Sequence, residues 1–180
     1  MSETQQNLVW VDLEMTGLDP STHTVVEIAT LVTDSNLDLI AEGPCLVIHQ
    51  PEDALVTMDD YVREMHTKSG LIERVRASAI SLDDAAAETV AFLSKHVEKG
   101  KGVLAGNSVW KDRAFIERYM PSVIAMLHYR MIDVSTIKEL VRRWYSPDLI
   151  PKKREVHRAL DDIRESVAEL RHYRANVFKS

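Results

Sequence analysis

The chain has 180 residues, of which 45% are hydrophobic and 28% charged, and this composition is typical of a folded protein rather than a disordered one. Because this length is typical of one domain, we expect residues 1–180 to form a single domain. The 22 basic and 28 acidic residues give a net charge of −6, which argues against a broad basic face that binds long nucleic acid.

The first half of the chain predicts three strands with short connections, which favours an antiparallel meander. These strands cover residues 7–14, 25–33 and 39–49, the last interrupted by Gly43 and Pro44. The second half alternates helices with strands. Its predicted helices cover residues 81–97, 109–119 and 135–145, its strands 102–106 and 129–134, and a last helix has the apolar stripe Leu160, Ile163, Val167 and Leu170. The expected fold is α/β, with a mixed sheet of five strands, three antiparallel and then two parallel, and helices on its faces.

The first predicted strand carries two carboxylates, Asp12 and Glu14, on the same face. Residues two apart on a strand lie about 6–7 Å from each other. Because two like charges beside apolar strand residues cost free energy, we expect a positive group nearby, and hard divalent cations commonly fill this role. The alternative is a solvent-facing strand end, where water hydrates both carboxylates.

A third carboxylate, Asp112, follows the strand predicted over residues 102–106. We expect Asn107 or Ser108 to cap the next helix, which puts Asp112 about one turn into that helix and lets it face the strand end. The alternative is an exposed aspartate between two basic neighbours on a solvated helix face.

The last cluster contains His157, Asp161 and Asp162. On one continuous helix, residues five apart are separated by about 140°, so His157 and Asp162 would not share a face. His157 therefore suits the loop before the last helix. Histidine readily accepts a proton from water near neutral pH. Either aspartate also suits the first turn of a helix because of the helix dipole, and spacing does not decide which of them would bind a metal.

The cysteine content, the apolar runs and the remaining histidines limit where the protein is expected to act and which kinds of site it can form. Cys45 is the one cysteine, which excludes an internal disulfide framework. No apolar run approaches the length of about 18 residues that a membrane helix needs, and residues 2–7 are too polar for a signal peptide, so we expect a cytoplasmic protein without a membrane segment. For the histidines other than His157, spacing alone favours a structural role.

Three motifs in chain order resemble those of the DEDD exonucleases, in the subgroup that uses histidine. They are Asp12-x-Glu14, Asn107-x4-Asp112 and His157-x4-Asp162. Further segments resemble the oligoribonucleases within that family, at residues 10–20, 27–30, 66–71, 128–130, 133–140 and 159–166. Because the resemblance extends over nearly the whole chain, it is too extensive to have arisen by chance.

The resemblance implies a ribonuclease-H-like fold and a 3′-to-5′ exoribonuclease that hydrolyses very short RNA, chiefly dinucleotides, to nucleoside 5′-monophosphates. It also implies two Mg²⁺ or Mn²⁺ ions per site, bound by four carboxylates: Asp12, Glu14, Asp112 and Asp162. It selects Asp162 over Asp161 and makes His157 the general base. One ion would lower the pKa of a water that His157 deprotonates, and the other would stabilise the departing 3′ oxygen.

The resemblance further implies a closed pocket for the substrate. The residues assigned to it are Leu18, His66, Ser108, Tyr129, Arg130 and Ser135. Leu18 would lie between the two bases, the serines and the arginine would surround the 5′ phosphate, and Tyr129 would come from the partner subunit of a homodimer. An arginine fork and hydroxyl donors suit a phosphate. Because a closed pocket accepts only a very short substrate, the resemblance implies no long nucleic-acid groove.

Two other classes of protein compete with this interpretation. A related exonuclease that acts on DNA ends or on longer RNA needs a basic, aromatic-rich channel, which an aromatic content of 6% and a net charge of −6 disfavour. A binding module without catalysis would keep the fold alone. Every metal and base position is filled in this sequence, so nothing in it favours a loss of activity.

Overall fold

A computed structural model of the chain describes residues 6–151 and 158–178. Its strands are β1 (Leu8–Met15), β2 (Val25–Thr33), β3 (Leu39–Val47), β4 (Gly102–Gly106) and β5 (Leu127–Asp133), in the sheet order β3-β2-β1-β4-β5. β1, β2 and β3 pair antiparallel, whereas β4 is parallel to β1 and β5 is parallel to β4. The prediction of a mixed five-stranded sheet is therefore confirmed.

Eight α-helices accompany these strands in the described ranges. They are α1 (Glu52–Leu55), α2 (Asp60–Lys68), α3 (Leu71–Ala77), α4 (Leu82–Leu93), α5 (Trp110–Tyr119), α6 (Pro121–Ile124), α7 (Val134–Trp144) and α8 (Ala159–Asn176), and a 3-10 turn covers Pro147–Leu149. The sequence analysis missed α1, α2, α3 and α6, because helices this short show too little periodicity. None of the described helices has the length and apolar character of a membrane span.

Gly43 and Pro44 do not interrupt β3, contrary to the sequence interpretation. They lie at a shift in the pairing between β2 and β3, where Cys45 faces Ala29 and Glu42 faces Leu31. β3 is an edge strand, which tolerates a proline because the missing N–H costs no pairing on the open side. A Cβ on Gly43 would lie 2.2 Å from the Thr30 hydroxyl, so this irregular pairing requires glycine.

β1 is buried on both faces, and this determines where its polar residues lie. Val9, Val11 and Leu13 pack into the core beneath α4 and α5, as the alternation predicts. Leu8 and Trp10 pack on the other side, in the core that includes α8. Asp12 and Glu14 follow these two residues in the same alternation, at the carboxyl end of the central strand.

Candidate active site

Three carboxylates meet at the end of β1. One oxygen each from Asp12, Glu14 and Asp162 lies within 4.8 Å of the other two, and all three side chains are half-buried. We call these residues the acidic cluster. Asp162 stands in the first turn of α8, whereas the neighbouring Asp161 forms an ion pair with Arg164 at 3.1 Å. The structure thus brings Asp162, and not Asp161, to the strand carboxylates.

Asp112 lies in the first turn of α5 and is 5% exposed, so the interpretation as a solvated helix face is wrong. Its Oδ1 accepts the backbone N–H of Leu13 at 2.9 Å, between the two acidic residues of β1. Burial raises the pKa of Asp112 to about 7, while the bond from Leu13 acts in the opposite direction. Asp112 is therefore fixed beside the acidic cluster, as expected from its position one turn into the helix.

The electrostatics of the site favour a bound cation. Burial raises the pKa of Glu14 to about 8. The negative charges of Glu27, Asp162 and Asp112 raise this pKa further, whereas the positive charge of Arg74 lowers it. A positive ion among these carboxylates would stabilise their ionised forms. Hard divalent cations prefer carboxylate oxygens, and the donor set of the acidic cluster consists entirely of these. The residues present therefore fit a divalent metal centre.

Glu27 is a buried carboxylate in one of the segments that carry the resemblance, but the sequence analysis did not assign it to the site. It pairs with Glu14 in the register of β1 and β2, and one of its oxygens accepts from Arg74 at 2.9 Å. Its other oxygen has no hydrogen-bond partner in the described part of the chain. The signal was the single charged residue in a strand of apolar residues and threonines, which indicates that a charge is needed there but does not identify its partner.

His66 contacts the end of β1 from α2. Its Nε2 lies 2.9 Å from the backbone oxygen of Met15, and its Nδ1 lies 3.9 Å from a carboxylate oxygen of Glu14. The ring is almost completely buried. These contacts fit the structural role that spacing favours, and the assignment of His66 to substrate binding stays a prediction.

The structure brings together two of the residues assigned to the phosphate, Ser108 and Ser135, which we call the serine pair. Their hydroxyl oxygens lie 3.1 Å apart. The backbone N–H of Ser108 donates to Asp133 Oδ1 at 2.9 Å and to Ser135 Oγ at 3.0 Å. These bonds hold Ser108 at a φ of 52°, a left-handed conformation that costs a non-glycine residue about 1–3 kcal/mol.

Neither Asn107 nor Ser108 caps α5, contrary to expectation. The N-cap residue is Val109, and no side chain bonds to the first turn. The Asn107 amide instead contacts Ser135, Ser166 and Glu169, which lie far away in sequence. These tertiary bonds leave neither side chain in a capping position.

The remaining assigned residues lie on exposed segments. Tyr129 and Arg130 stand on the edge strand β5, where the guanidinium lies 5.3 Å from the tyrosine ring and the ring is 69% exposed. Leu18 is 63% exposed in the turn after β1, and its backbone oxygen accepts from Lys111 Nζ at 3.1 Å. Sequence reasoning missed this contact of Lys111. The predicted general base, His157, lies outside the described residues.

Comparison with known proteins gives the same assignment as the motifs. A family model described as Exonuclease matches residues 9–170. An oligoribonuclease of Vibrio campbellii is 55% identical over 99% of this chain and 99% of its own, and one of Shewanella loihica is 54% identical with the same coverage. The chain belongs to the oligoribonuclease family. The resemblance drawn from the motifs is thus confirmed.

Solved structures support the fold of this oligoribonuclease family member. Exonuclease I of Escherichia coli in a complex with single-stranded DNA superposes with a TM-score of 0.70 at 17% identity. A product-bound exonuclease I gives a TM-score of 0.69, also at 17% identity. The superpositions cover 96% and 95% of this chain, which spans only 40% and 44% of those longer chains. At this identity the likeness concerns the fold alone.

Proposed function

We propose that the chain is a 3′-to-5′ exoribonuclease that hydrolyses very short RNA, chiefly dinucleotides, to nucleoside 5′-monophosphates. The observation that carries the proposal is the acidic cluster with Asp112 fixed beside it, since this donor set suits a nuclease that uses metal ions. The relatives named oligoribonuclease support the substrate class. In this proposal residues 1–180 act as a single exonuclease domain in the cytoplasm.

The metal site would consist of Asp12, Glu14, Asp112 and Asp162, with two Mg²⁺ or Mn²⁺ ions. Bound divalent ions lower the pKa of the attacking water and stabilise negative charge on the departing 3′ oxygen. The N–H of Leu13 keeps the Asp112 carboxylate turned towards β1. His157 would accept the proton of the attacking water, which is the role of a general base.

The substrate pocket would take the 5′ phosphate between the serine pair and Arg130, with Leu18 between the two bases. The approach of the two hydroxyls and the exposure of Leu18 and Tyr129 support this arrangement. In a homodimer, Tyr129 of one subunit would contact the 5′ phosphate of the dinucleotide bound in the other subunit. His66 would border the pocket from α2, next to Glu14.

The direct test of this function is a time course of hydrolysis in Mg²⁺, with 5′-labelled RNAs of two to about ten nucleotides. We expect the dinucleotide to be cleaved much faster than every longer RNA, because a pocket closed around the 5′ phosphate leaves no room for further nucleotides. Equal or faster cleavage of the longer RNAs would instead assign the chain to the exonucleases that act on longer RNA or DNA ends.

Substitution of Arg130 by alanine tests the phosphate pocket. We expect kcat/KM for a 5′-phosphorylated dinucleotide to fall about 10- to 100-fold, since a charge-assisted hydrogen bond to phosphate contributes about 1.5–3 kcal/mol. The unphosphorylated dinucleotide should lose little. Arg118→Ala is the matched control, because it removes an arginine from the last turn of α5 instead. Equal losses for the two substrates would contradict the phosphate pocket.

A further inference from the structure

The turn between β1 and β2 presents Leu18 to solvent, and its two ends are fastened to each other. The backbone N–H of Thr16 donates to the Thr24 oxygen at 2.9 Å, and the N–H of Thr24 donates to Thr16 Oγ1 at 3.0 Å. A Cβ on Gly17 would lie 2.5 Å from the His23 ring, so this close approach requires glycine. Leu18, which is 63% exposed, is the large apolar side chain that this compact turn projects outwards.

Helix α5 contacts this turn at two places. The hydroxyl of Tyr119, the last residue of α5, lies 3.0 Å from the backbone oxygen of Pro20 and 2.6 Å from that of His23. At the other end of the helix, Lys111 Nζ donates to the backbone oxygen of Leu18 at 3.1 Å. Within the residues that the structure describes, this is the one hydrogen bond to the backbone of Leu18. The two ends of one helix therefore hold the far side and the tip of the turn.

Lys111 is itself placed by its neighbours in the first turn of α5. Its ammonium lies 4.4 Å from the centre of the Trp110 ring, a cation–π contact that restricts a side chain with many rotamers. The next residue is Asp112, whose carboxylate is fixed to β1 by the N–H of Leu13. The backbone of Leu18 is therefore bonded to the residue directly before a proposed metal ligand.

In the proposed pocket, the distance between the bases and the metal ions has to match the dinucleotide. An apolar side chain on a mobile turn would lose conformational freedom on binding, and this loss would weaken its contact with a base. A turn that is fixed before binding avoids the loss and keeps the reacting phosphate aligned. Lys111 joins the turn to the part of α5 that bears Asp112, so it can fix Leu18 relative to the metal site.

We propose that Lys111 is a positioning residue that fixes Leu18, and hence the two bases, relative to the proposed metal site. The proposal rests on the proposed function, because it concerns a dinucleotide whose bases contact Leu18. Lys111 acts on the substrate through the backbone of Leu18 and not through its charge on the phosphates. Its loss therefore weakens the contacts of the bases and leaves those of the phosphates.

The test compares kcat/KM for the 5′-phosphorylated diadenylate pApA with kcat/KM for the same dinucleotide in which hydrogen replaces the 5′ base. We call the ratio of the two values the base preference. Both substrates carry the same phosphates, so an effect of a variant on the metal ions, on the phosphates or on the amount of folded enzyme cancels in this ratio.

We expect Leu18→Ala to lower the base preference about 10-fold, because it removes apolar contact with the base. Lys111→Met removes the hydrogen bond to the turn and should lower the base preference about 5-fold. Because both changes act on the same contact, the double variant should lower the base preference no further than Leu18→Ala alone. Lys111→Arg keeps a cationic donor and should retain most of the wild-type base preference.

Lys101→Met is the matched control, because it removes an exposed lysine from the turn before β4 and should keep the wild-type base preference. An unchanged base preference in Lys111→Met, even with an equal loss of rate for both substrates, would overturn the inference. Losses that multiply in the double variant, or a wild-type enzyme without any base preference, would overturn it as well. A wild-type protein that hydrolyses neither substrate would contradict the proposed function itself, which separates the two failures.

Discussion

Replacement of Asp12 by asparagine is expected to lower kcat/KM for dinucleotide hydrolysis by about 10³-fold or more. The substitution keeps the size of the side chain but removes one charged oxygen ligand from the acidic cluster. A loss of this size corresponds to about 4 kcal/mol of transition-state stabilisation, within the range that metal ions supply. The measurement is a steady-state assay at saturating Mg²⁺, together with a thermal unfolding curve to show that the fold persists.

The control for this prediction is Asp161→Asn. Asp161 is also an aspartate in the first turn of α8, but it pairs with Arg164 and lies outside the acidic cluster. We expect this variant to hydrolyse the dinucleotide at nearly the wild-type rate. Full activity of Asp12→Asn, or an equal loss in both variants, would show that the site has been assigned to the wrong carboxylates.

The metal-free protein is expected to lose stability as the pH rises from about 5 to about 8. The pKa of Glu14 is about 8 in the folded chain and 4.5 ordinarily, so between these values the folded state binds more protons than the unfolded state. The free energy of unfolding therefore falls with pH, by up to about 1.4 kcal/mol per pH unit for one such group. The raised pKa of Asp112 acts in the same direction. Urea unfolding in a chelating buffer at several pH values measures this slope.

Saturating Mg²⁺ or Mn²⁺ should reduce the fall in stability, because a bound cation favours the ionised carboxylates and stabilises the folded state alone. Glu14→Gln is the control, since a glutamine does not titrate and should leave a shallower pH dependence in the metal-free protein. Stability that is constant or rises from pH 5 to 8 in the metal-free wild type would be evidence against the crowding of carboxylates described here.

Local pattern was sufficient to predict much of the sheet and part of the acidic site. Both faces of this central strand are buried, so β1 is almost continuously apolar, and Asp12 and Glu14 stand out near its end. The position of Asp112 also followed from local geometry, one turn into α5. The bond that fixes it, from the N–H of Leu13, joins residues far apart in sequence and leaves no trace in a local pattern.

Other features depended on tertiary structure and could not be read locally. Asn107 looks like a capping residue because asparagine favours that position, but its bonds to α8 decide its place instead. The edge position of β3 shows why the strand continues through Gly43 and Pro44 although its pairing shifts there, and an edge cannot be recognised before the strand order is known. The substrate residues on the exposed segments came from family resemblance alone, since single exposed leucines and tyrosines are common on protein surfaces that bind nothing.

The acidic cluster combines carboxylates from β1 and α8, the first strand and the last helix of the described chain. During synthesis β1 emerges from the ribosome long before α8, because the chain is made from its amino end. A nascent chain therefore holds only part of the ligand set until its last helix has packed on the sheet. Hydrolytic capacity would arise in a single late event of folding, and an incomplete chain close to RNA would carry no assembled nuclease centre.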